Sequence, residues 1–122
     1  VDRFKSVNDT HGHGVGDEVL KGFAAQAKKS LRSADVVVRW GGEEFLVIML
    51  EEPEANPSIG IDRFRDSLSQ YRVSPTVPDL RIAFSAGLAR CRHDESIEAS
   101  IDRADQALYQ AKHEGRNRSV MA

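Results

Sequence analysis

The chain has 122 residues, of which 40% are hydrophobic and 30% charged, a balance that predicts one folded domain and excludes a disordered segment. With 17 Lys and Arg residues against 19 Asp and Glu residues, the formal net charge of -2 argues against a basic nucleic-acid-binding surface, so no nucleic-acid partner is expected. Cys91 is the one cysteine, which excludes a disulfide framework and indicates a reducing compartment such as the cytoplasm.

The first predicted feature is a loop over residues 8–16, because this stretch is rich in Gly, Asn and Asp. A helix follows it, with Asp17 and Glu18 in the first turn, where carboxylates suit the positive end of the helix dipole. Apolar residues then recur at helical spacing and predict one buried stripe. They are Val19, Leu20, Phe23, Ala24, Ala27 and Leu31.

Two strands are predicted next, over residues 35–40 and 43–50, with a loop over 51–57 after them. Gly41 and Gly42 separate the strands, which predicts a tight hairpin with a type I′ turn and positive φ at both glycines. The apolar runs on both arms indicate strands buried on both faces.

The rest of the chain alternates between helix and strand patterns. A helix is predicted over 59–71, an alternating strand over 80–89, a long helix over 96–114 that ends at Gly115, and a short strand over 118–121. This order predicts an α/β or α+β fold in which helices cover a mixed sheet with at least one antiparallel strand pair.

The hairpin tip is the first candidate site, because Glu43 and Glu44 place two carboxylates side by side there. Carboxylate oxygens are good ligands for Mg²⁺, which usually shares them with a phosphate, and a backbone without Cβ atoms at Gly42 lets a phosphate come close. A hairpin turn flanked by solvated acids explains the same residues, and both interpretations stay open.

Three further clusters have a chemical and a structural interpretation each. Asn8 and Asp17 can bind the edge of a guanine base, or they can stabilise a turn and cap a helix. The basic pair Lys112 and Arg116 can hold a polyphosphate, or it can complement a helix C-terminus. The sequence Arg-Ser-Ala-Asp over 32–35 can be a ligand site, or its two charged residues can pair with each other.

Taken together and in this order, these segments resemble the GGDEF-domain family of diguanylate cyclases. The Gly-Gly-Glu-Glu-Phe sequence is the active-type variant of the family signature, and the resemblance covers nearly the whole chain. The matching stretches are FKSVNDTHGH at 4–13, GDEVL at 16–20, RWGGEEF at 39–45, SAG at 85–87 and the segment 103–117.

The resemblance implies a palm-like fold, similar to that of nucleotidyl cyclases and polymerases. It implies condensation of two GTP molecules into cyclic di-GMP with release of pyrophosphate, across a homodimer in which each protomer presents one GTP. It also implies Mg²⁺, or Mn²⁺ in its place, and an upstream sensor or receiver domain. The expected compartment is the cytoplasm, with or without a membrane anchor elsewhere in the parent protein.

The resemblance also implies roles for single residues. Glu43 would bind the metal together with the backbone carbonyl of Val1, and Glu44 would act near the second metal or the attacking hydroxyl. The substrate-binding positions would be Asn8 and Asp17 for guanine, Gly42 for the α-phosphate, the Phe4 and Lys5 backbone N–H groups for the β- and γ-phosphates, and Lys112 and Arg116 for added positive charge.

Product inhibition is implied by a further match. Arg32 and Asp35 correspond to the family's RxxD inhibitory site, and Arg63 corresponds to a second arginine of that site. Arginine suits a cyclic dinucleotide because it can bind phosphates through two hydrogen bonds and stack on guanine. Two other functions stay open: a non-catalytic receptor for cyclic di-GMP, and a palm-type cyclase that uses a different base.

One departure from the family pattern concerns the start of the chain. The family's other metal-binding Asp would lie two positions before Asp2, which is upstream of Val1. The strand that carries it and the helix before that strand are not among these residues. The sequence therefore predicts a single GGDEF domain over 1–122 without its first strand, and impaired activity for the isolated fragment.

Overall fold

The computed structural model describes residues 1–32, 35–49 and 56–122. Within those ranges, helices and strands of a mixed α/β fold alternate, which confirms the predicted class. Most of the predicted loop over 51–57, and the last residue of the strand predicted over 43–50, lie outside the described residues. The elements are α1 (Phe4–His11), α2 (His13–Ser30), β1 (Val36–Gly41), β2 (Glu44–Ile48), α3 (Pro57–Leu68), β3 (Ala86–Leu88), α4 (Ile97–His113) and β4 (Ser119–Met121).

The contacts divide the chain into two compact units. The first unit has Val1 and residues 3–83, and it contains α1, α2, β1, β2 and α3; the second has Asp2 and residues 84–122, and it contains β3, α4 and β4. The described strands form two small sheets, with β1 and β2 antiparallel and β3 and β4 parallel. The prediction of a single domain over 1–122 stays a prediction.

Two consecutive helices occupy the segment for which a loop was predicted, so that prediction is wrong. Only Gly12 interrupts the helical path: its φ of 91° is left-handed, and its N–H donates to the Asn8 carbonyl at 2.8 Å. Helix α2 begins at His13, so Asp17 lies beyond the first turn in which it was predicted. The composition of the segment predicted several residues in turns. In the structure Gly12 alone forms the turn, and the residues on both sides of it are helical.

Helix α2 packs the core of the first unit through Phe23. The Phe23 ring lies 4.8 Å from the Phe45 ring of β2 and 5.1 Å from the Phe64 ring of α3, measured between centroids. These aromatic contacts join both the hairpin and α3 to α2. Other buried apolar residues of this unit are Val7, Val15, Val19, Leu20, Ala27, Leu31, Ile61, Leu68, Val73 and Ile82.

The β1–β2 hairpin is confirmed, but its turn differs from the predicted one. Gly41 pairs with Glu44, so Gly42 and Glu43 form the connection, and of the two glycines only Gly42 has a positive φ, at 49°. A register shift near Gly41 absorbs the difference. The prediction of a type I′ turn over both glycines is therefore wrong.

The hairpin is also not buried on both faces. Val36, Val38 and Trp40 alternate along β1 and are 46%, 40% and 58% exposed. One face of the ladder therefore keeps these apolar side chains in contact with solvent. The apolar run was typical of a central strand, and that interpretation is wrong.

The helices predicted over 59–71 and 96–114 are confirmed as α3 and α4, with end shifts of up to three residues. Each begins at a capping side chain: Asn56 accepts from the Ser58 N–H at 3.0 Å, and Ser96 accepts from the Ala99 N–H at 3.1 Å. Among the helices described, none has the length and apolar character needed to cross a bilayer.

The strand predicted over 80–89 forms only at Ala86–Leu88, where β4 supplies a partner. Ile82 and Phe84 are buried as the alternation indicated, but no described strand pairs with them. Gly87 packs so closely on α4 that an added Cβ would overlap the backbone at Ala104 and Leu108. The strand predicted over 118–121 is confirmed as β4.

A charged cluster lies at the start of α4 in the second unit. Glu95 accepts hydrogen bonds from the Arg103 guanidinium and, at 2.7 Å, from the Ser100 hydroxyl. Arg103 also donates to the Arg90 carbonyl. The Arg103 hydrogen bond, followed by that of Ser100, lowers the pKa of Glu95 from 4.5 to about 2.

The Glu95 cluster predicts a specific loss of stability in acid. Because the pKa of the folded carboxyl is depressed, its contribution is complete above the unfolded value of 4.5 and is lost as pH falls toward about 2. We therefore expect Glu95→Gln to lower the free energy of unfolding at neutral pH, and the difference from wild type to shrink over that acid range. Urea unfolding at several pH values measures it.

Glu114→Gln is the control, since it removes one exposed carboxylate from the end of the same helix. A Glu95→Gln difference that keeps its size down to about pH 2 would contradict the assignment of the acid dependence to this cluster.

Candidate functional site

The hairpin tip presents the two adjacent carboxylates at the position where the chain reverses. Glu44 is exposed and begins β2, and Glu43 is half-buried in the turn. The Arg39 Nε–H donates to the Gly42 carbonyl at 2.9 Å and so holds the turn in shape. Sequence reasoning did not assign a role to Arg39, although it stands inside the RWGGEEF stretch.

The first residue of the chain lies against this tip. The Val1 amino nitrogen donates to the Glu43 carbonyl at 3.1 Å. The structure therefore brings the backbones of Val1 and Glu43 together. These are the two positions for which the family resemblance implied metal binding.

The tip offers oxygen ligands of the kind that a hard divalent cation prefers. Glu43 and Glu44 supply carboxylates, whereas the contact that Val1 makes at the tip is through its amino nitrogen. Within residues 1–32, 35–49 and 56–122, no group of three or more His, Cys, Asp or Glu side chains forms a closed metal cluster. These ligands fit a cation such as Mg²⁺ that takes its remaining oxygens from phosphate and water.

The beginning of helix α1 has backbone N–H groups that the helix itself does not pair. Phe4 and Lys5 are its first two residues, and the first N–H groups of a helix have no acceptor inside it. Arg3 precedes them in the left-handed region at φ 55°, and no side chain caps the helix. The N–H groups of Phe4 and Lys5 are therefore suited to an anion such as phosphate.

Asn8 and Asp17 lie on helices that pack together, α1 and α2. Asp17 is exposed, whereas the Asn8 side-chain oxygen is buried and has no hydrogen-bond partner. Gly16, the neighbour of Asp17, is buried against that oxygen. Sequence reasoning named Asn8 and Asp17 but not Gly16, because a close contact between helices leaves no pattern in the chain.

Lys112 and Arg116 belong to the second unit, whereas the other predicted substrate-binding positions belong to the first. Lys112 is in the last turn of α4, and Arg116 follows the helix with a φ of 65°. Gly115 and Asn117 are left-handed as well, at 120° and 47°. The Arg116 N–H donates to the Ala111 carbonyl at 3.0 Å, which holds this turn on the helix end.

Asp2 stabilises the same turn and was not expected to do so. Its carboxylate accepts from the Ser85 hydroxyl at 2.6 Å and from the Asn117 N–H at 2.9 Å. One charged side chain thus joins the residue before β3 to the residue after Arg116.

Arg32, Asp35 and Arg63 line one shallow cavity of about 170 Å³ in the first unit. The Asp35 carboxylate accepts from the Arg32 backbone N–H at 3.0 Å, so a hydrogen bond joins these two residues. The Arg63 guanidinium donates to the Ser30 carbonyl at the end of α2, at 3.1 Å. The remaining lining residues are Leu31, Met49, Asn56, Ile59 and Gly60.

A comparison with known protein families decides the classification. The family described as diguanylate cyclase, GGDEF domain, matches residues 1–118. The chain belongs to the GGDEF domain family. Membership implies a dependence on divalent metal in general, which agrees with the oxygen ligands at the tip of this GGDEF domain.

Relatives support the same classification. Diguanylate cyclase A of Treponema denticola is 37% identical over 124 residues, covering 100% of this chain and 33% of that protein. Diguanylate cyclase SiaD of Pseudomonas aeruginosa, solved with its activator SiaC, has a TM-score of 0.92 at 38% identity, covering 100% of this chain and 47% of that one. The GGDEF domain of DgcB from Caulobacter crescentus, solved with c-di-GMP, has a TM-score of 0.84 at 32% identity over 98% of this chain and 72% of that one.

The chain spans a third or less of the first curated relatives that it matches, with 33%, 18% and 29% of their lengths. The similarity therefore concerns the GGDEF domain of those larger proteins.

We predict that Asp2→Asn destabilises the GGDEF domain by about 0.5–1.5 kcal/mol, because the amide keeps one acceptor oxygen for the Asn117 N–H but loses the charge that strengthens both hydrogen bonds. Urea unfolding measures the change. Asp102→Asn, on the exposed face of α4, is the matched control and should change stability by less than about 0.5 kcal/mol. Equal effects of the two substitutions would contradict the role of Asp2.

Proposed function

We propose that this GGDEF domain condenses two GTP molecules into cyclic di-GMP. In each of two steps a 3′-oxygen attacks the α-phosphorus of the other nucleotide, forming a new phosphoester bond and breaking the bond to the β-phosphate. Pyrophosphate leaves and the hydroxyl proton passes to a base or to water, so two pyrophosphates are released for each cyclic product.

The acidic turn of the β1–β2 hairpin is the observation that carries this proposal. Its Gly42 adopts a positive φ, and Glu43 and Glu44 follow it at the exposed tip. A purely structural turn gains nothing from two neighbouring carboxylates, whereas phosphoryl transfer needs oxygen ligands beside a backbone that a phosphate can approach. Relatives that match the whole chain are named diguanylate cyclases.

The chain's own residues divide the work of binding. Glu43, with the Val1 carbonyl, would hold one divalent cation, and Glu44 would act at a second cation or at the attacking hydroxyl. When bound, the cations neutralise the triphosphate and favour the ionised 3′-oxygen. Gly42 leaves room for the α-phosphate because it has no Cβ. Apart from the two neighbouring residues, no atom in the described part of the chain lies within 4 Å of the place where a Cβ would stand.

The triphosphate tail is held by donors and positive charge. Phe4 and Lys5 offer the N–H groups at the start of α1 to the β- and γ-phosphates, at the positive end of the helix dipole. Lys112 and Arg116 would supply added positive charge. Guanine is bound through Asn8 and Asp17, whose carboxylate accepts from the N1 and N2 donors of the base.

The reaction requires a second copy of the domain. A single site holds one GTP, and ring closure needs two nucleotides facing each other, so a homodimer with one GTP on each protomer satisfies the stoichiometry. An upstream sensor or receiver domain would regulate the reaction by controlling how the two copies meet. Most of the catalytic effect then comes from positioning the two reactants.

Product binds at the cavity of Arg32, Asp35 and Arg63. Both guanidinium groups are suited to phosphate and guanine, and the hydrogen bond from the Arg32 N–H to the Asp35 carboxylate keeps the two ends of the motif together. Binding of cyclic di-GMP there gives feedback inhibition.

Glu43→Gln tests the catalytic proposal. Because the amide is a much weaker metal ligand, we expect synthesis of cyclic di-GMP to fall by at least about a hundredfold, while binding of cyclic di-GMP persists. Chromatography of the product and calorimetric titration of the wild type and the variant measure the two properties.

Glu98→Gln is the control for loss of one carboxylate, because Glu98 is exposed on α4. It should leave synthesis unchanged. If the full-length wild type binds cyclic di-GMP but makes none from GTP and Mg²⁺, the domain is a receptor and the catalytic proposal fails. If ATP competes equally with GTP, the proposed choice of base fails.

Arg32→Ala tests the product site. Loss of one guanidinium should weaken cyclic di-GMP binding by about tenfold or more and raise the product concentration needed for inhibition. Arg72→Ala, also exposed in the first unit, is the matched control and should bind as the wild type does. Inhibition that is identical in both variants would show that the product acts elsewhere.

A further inference from the structure

Helices α1 and α2 meet at a point where only glycine fits on α2. A Cβ added at Gly16 would overlap the Asn8 Oδ1 atom, and it would lie 3.0 Å from Asn8 Cγ and 3.3 Å from Phe4 Cζ. Gly14, two residues earlier in the same helix, has nothing within 4 Å of an added Cβ. The close approach is thus specific to Gly16, and the side chain of Asn8 is its nearest neighbour.

The contact leaves Asn8 with one buried and one accessible polar atom. Its Oδ1 lies against Gly16, is buried and accepts no hydrogen bond, an arrangement that costs free energy and calls for an explanation. The amide nitrogen lies on the opposite side of the planar group and is not among the buried, unpartnered atoms. The amide therefore presents its donor to the surroundings.

We propose that Gly16 is a positioning residue that fixes the Asn8 amide as a hydrogen-bond donor toward the base of the bound nucleotide. This inference rests on the proposed function, because it assumes that Asn8 binds guanine. It divides the recognition in two: Asn8 donates to an acceptor atom of the purine, and Asp17 accepts from the N1 and N2 groups. Any larger residue at position 16 would turn the amide away from this orientation.

Inosine triphosphate separates the two parts of this recognition. It has the same ring and carbonyl acceptors as GTP but lacks the 2-amino donor. If a hydrogen-bond donor of the protein is misplaced, binding of both nucleotides must therefore weaken by the same factor. If the acceptor for the 2-amino group is misplaced, binding of GTP must weaken more than binding of inosine triphosphate.

The experiment measures turnover and binding of both nucleotides by full-length wild type, Gly16→Ala and Gly14→Ala. We expect Gly16→Ala to raise KM by about tenfold for GTP and for inosine triphosphate alike, with a much smaller change in kcat. Gly14→Ala gains the same helix propensity without a clash and should stay within about twofold of wild type. Gly16→Ala kinetics equal to those of Gly14→Ala, or a larger loss for GTP than for inosine triphosphate, would overturn the proposal.

Unfolding experiments keep the proposal testable if Gly16→Ala folds poorly. Asn8→Ala removes the overlapping amide, so Gly16→Ala should cost much less stability in that background than in the wild type. An equal cost in both backgrounds would overturn the inferred contact. A wild type that binds no GTP would instead overturn the proposed function, and this stability cycle would still decide whether Gly16 fixes Asn8.

Discussion

The Phe23 ring is the contact on which the arrangement of the first unit depends. It packs on Phe45 at 4.8 Å and on Phe64 at 5.1 Å, so one side chain of α2 holds both the hairpin and α3. Phe45 directly follows the two glutamates of the turn. An apolar contact in the core therefore determines where the acidic tip stands, and the Arg39 bond to the Gly42 carbonyl then keeps the shape of the turn itself. Packing positions the hairpin, and polar contacts refine it.

The candidate nucleotide site obtains its polar groups from places where the backbone has no internal partner. The first N–H groups of α1 lack helical acceptors, and the backbone at Gly42 has open space beside it. Groups of this kind are costly in an empty protein and are offset when a ligand supplies the missing partner. Glu95 and Arg103 differ from them, because their side chains bond to each other within the protein.

Sequence patterns predicted the elements whose signal is local. Helices α3 and α4 and the β1–β2 hairpin follow from periodicity and turn residues, whereas the residues of the candidate site were named from the resemblance to the GGDEF family. The α1–α2 turn was missed because residues typical of loops stand inside helices there, and Gly16 is required by packing and not by a turn. The strand over 80–89 was too long because alternation records burial, whereas a strand also needs a partner. Asp2 was missed because its acceptor role joins it to Ser85 and Asn117, which are 83 and 115 residues away in the chain.

The exposed face of β1 has a practical consequence. Trp40 is the one tryptophan of the chain, it is 58% exposed, and it stands two residues before Gly42. Indole emission shifts to shorter wavelengths and changes in yield when water around the ring is displaced. The hairpin therefore carries an intrinsic fluorophore beside its acidic turn, and the proposed binding of a nucleotide or of a second protomer at that edge would be followed optically without a chemical label.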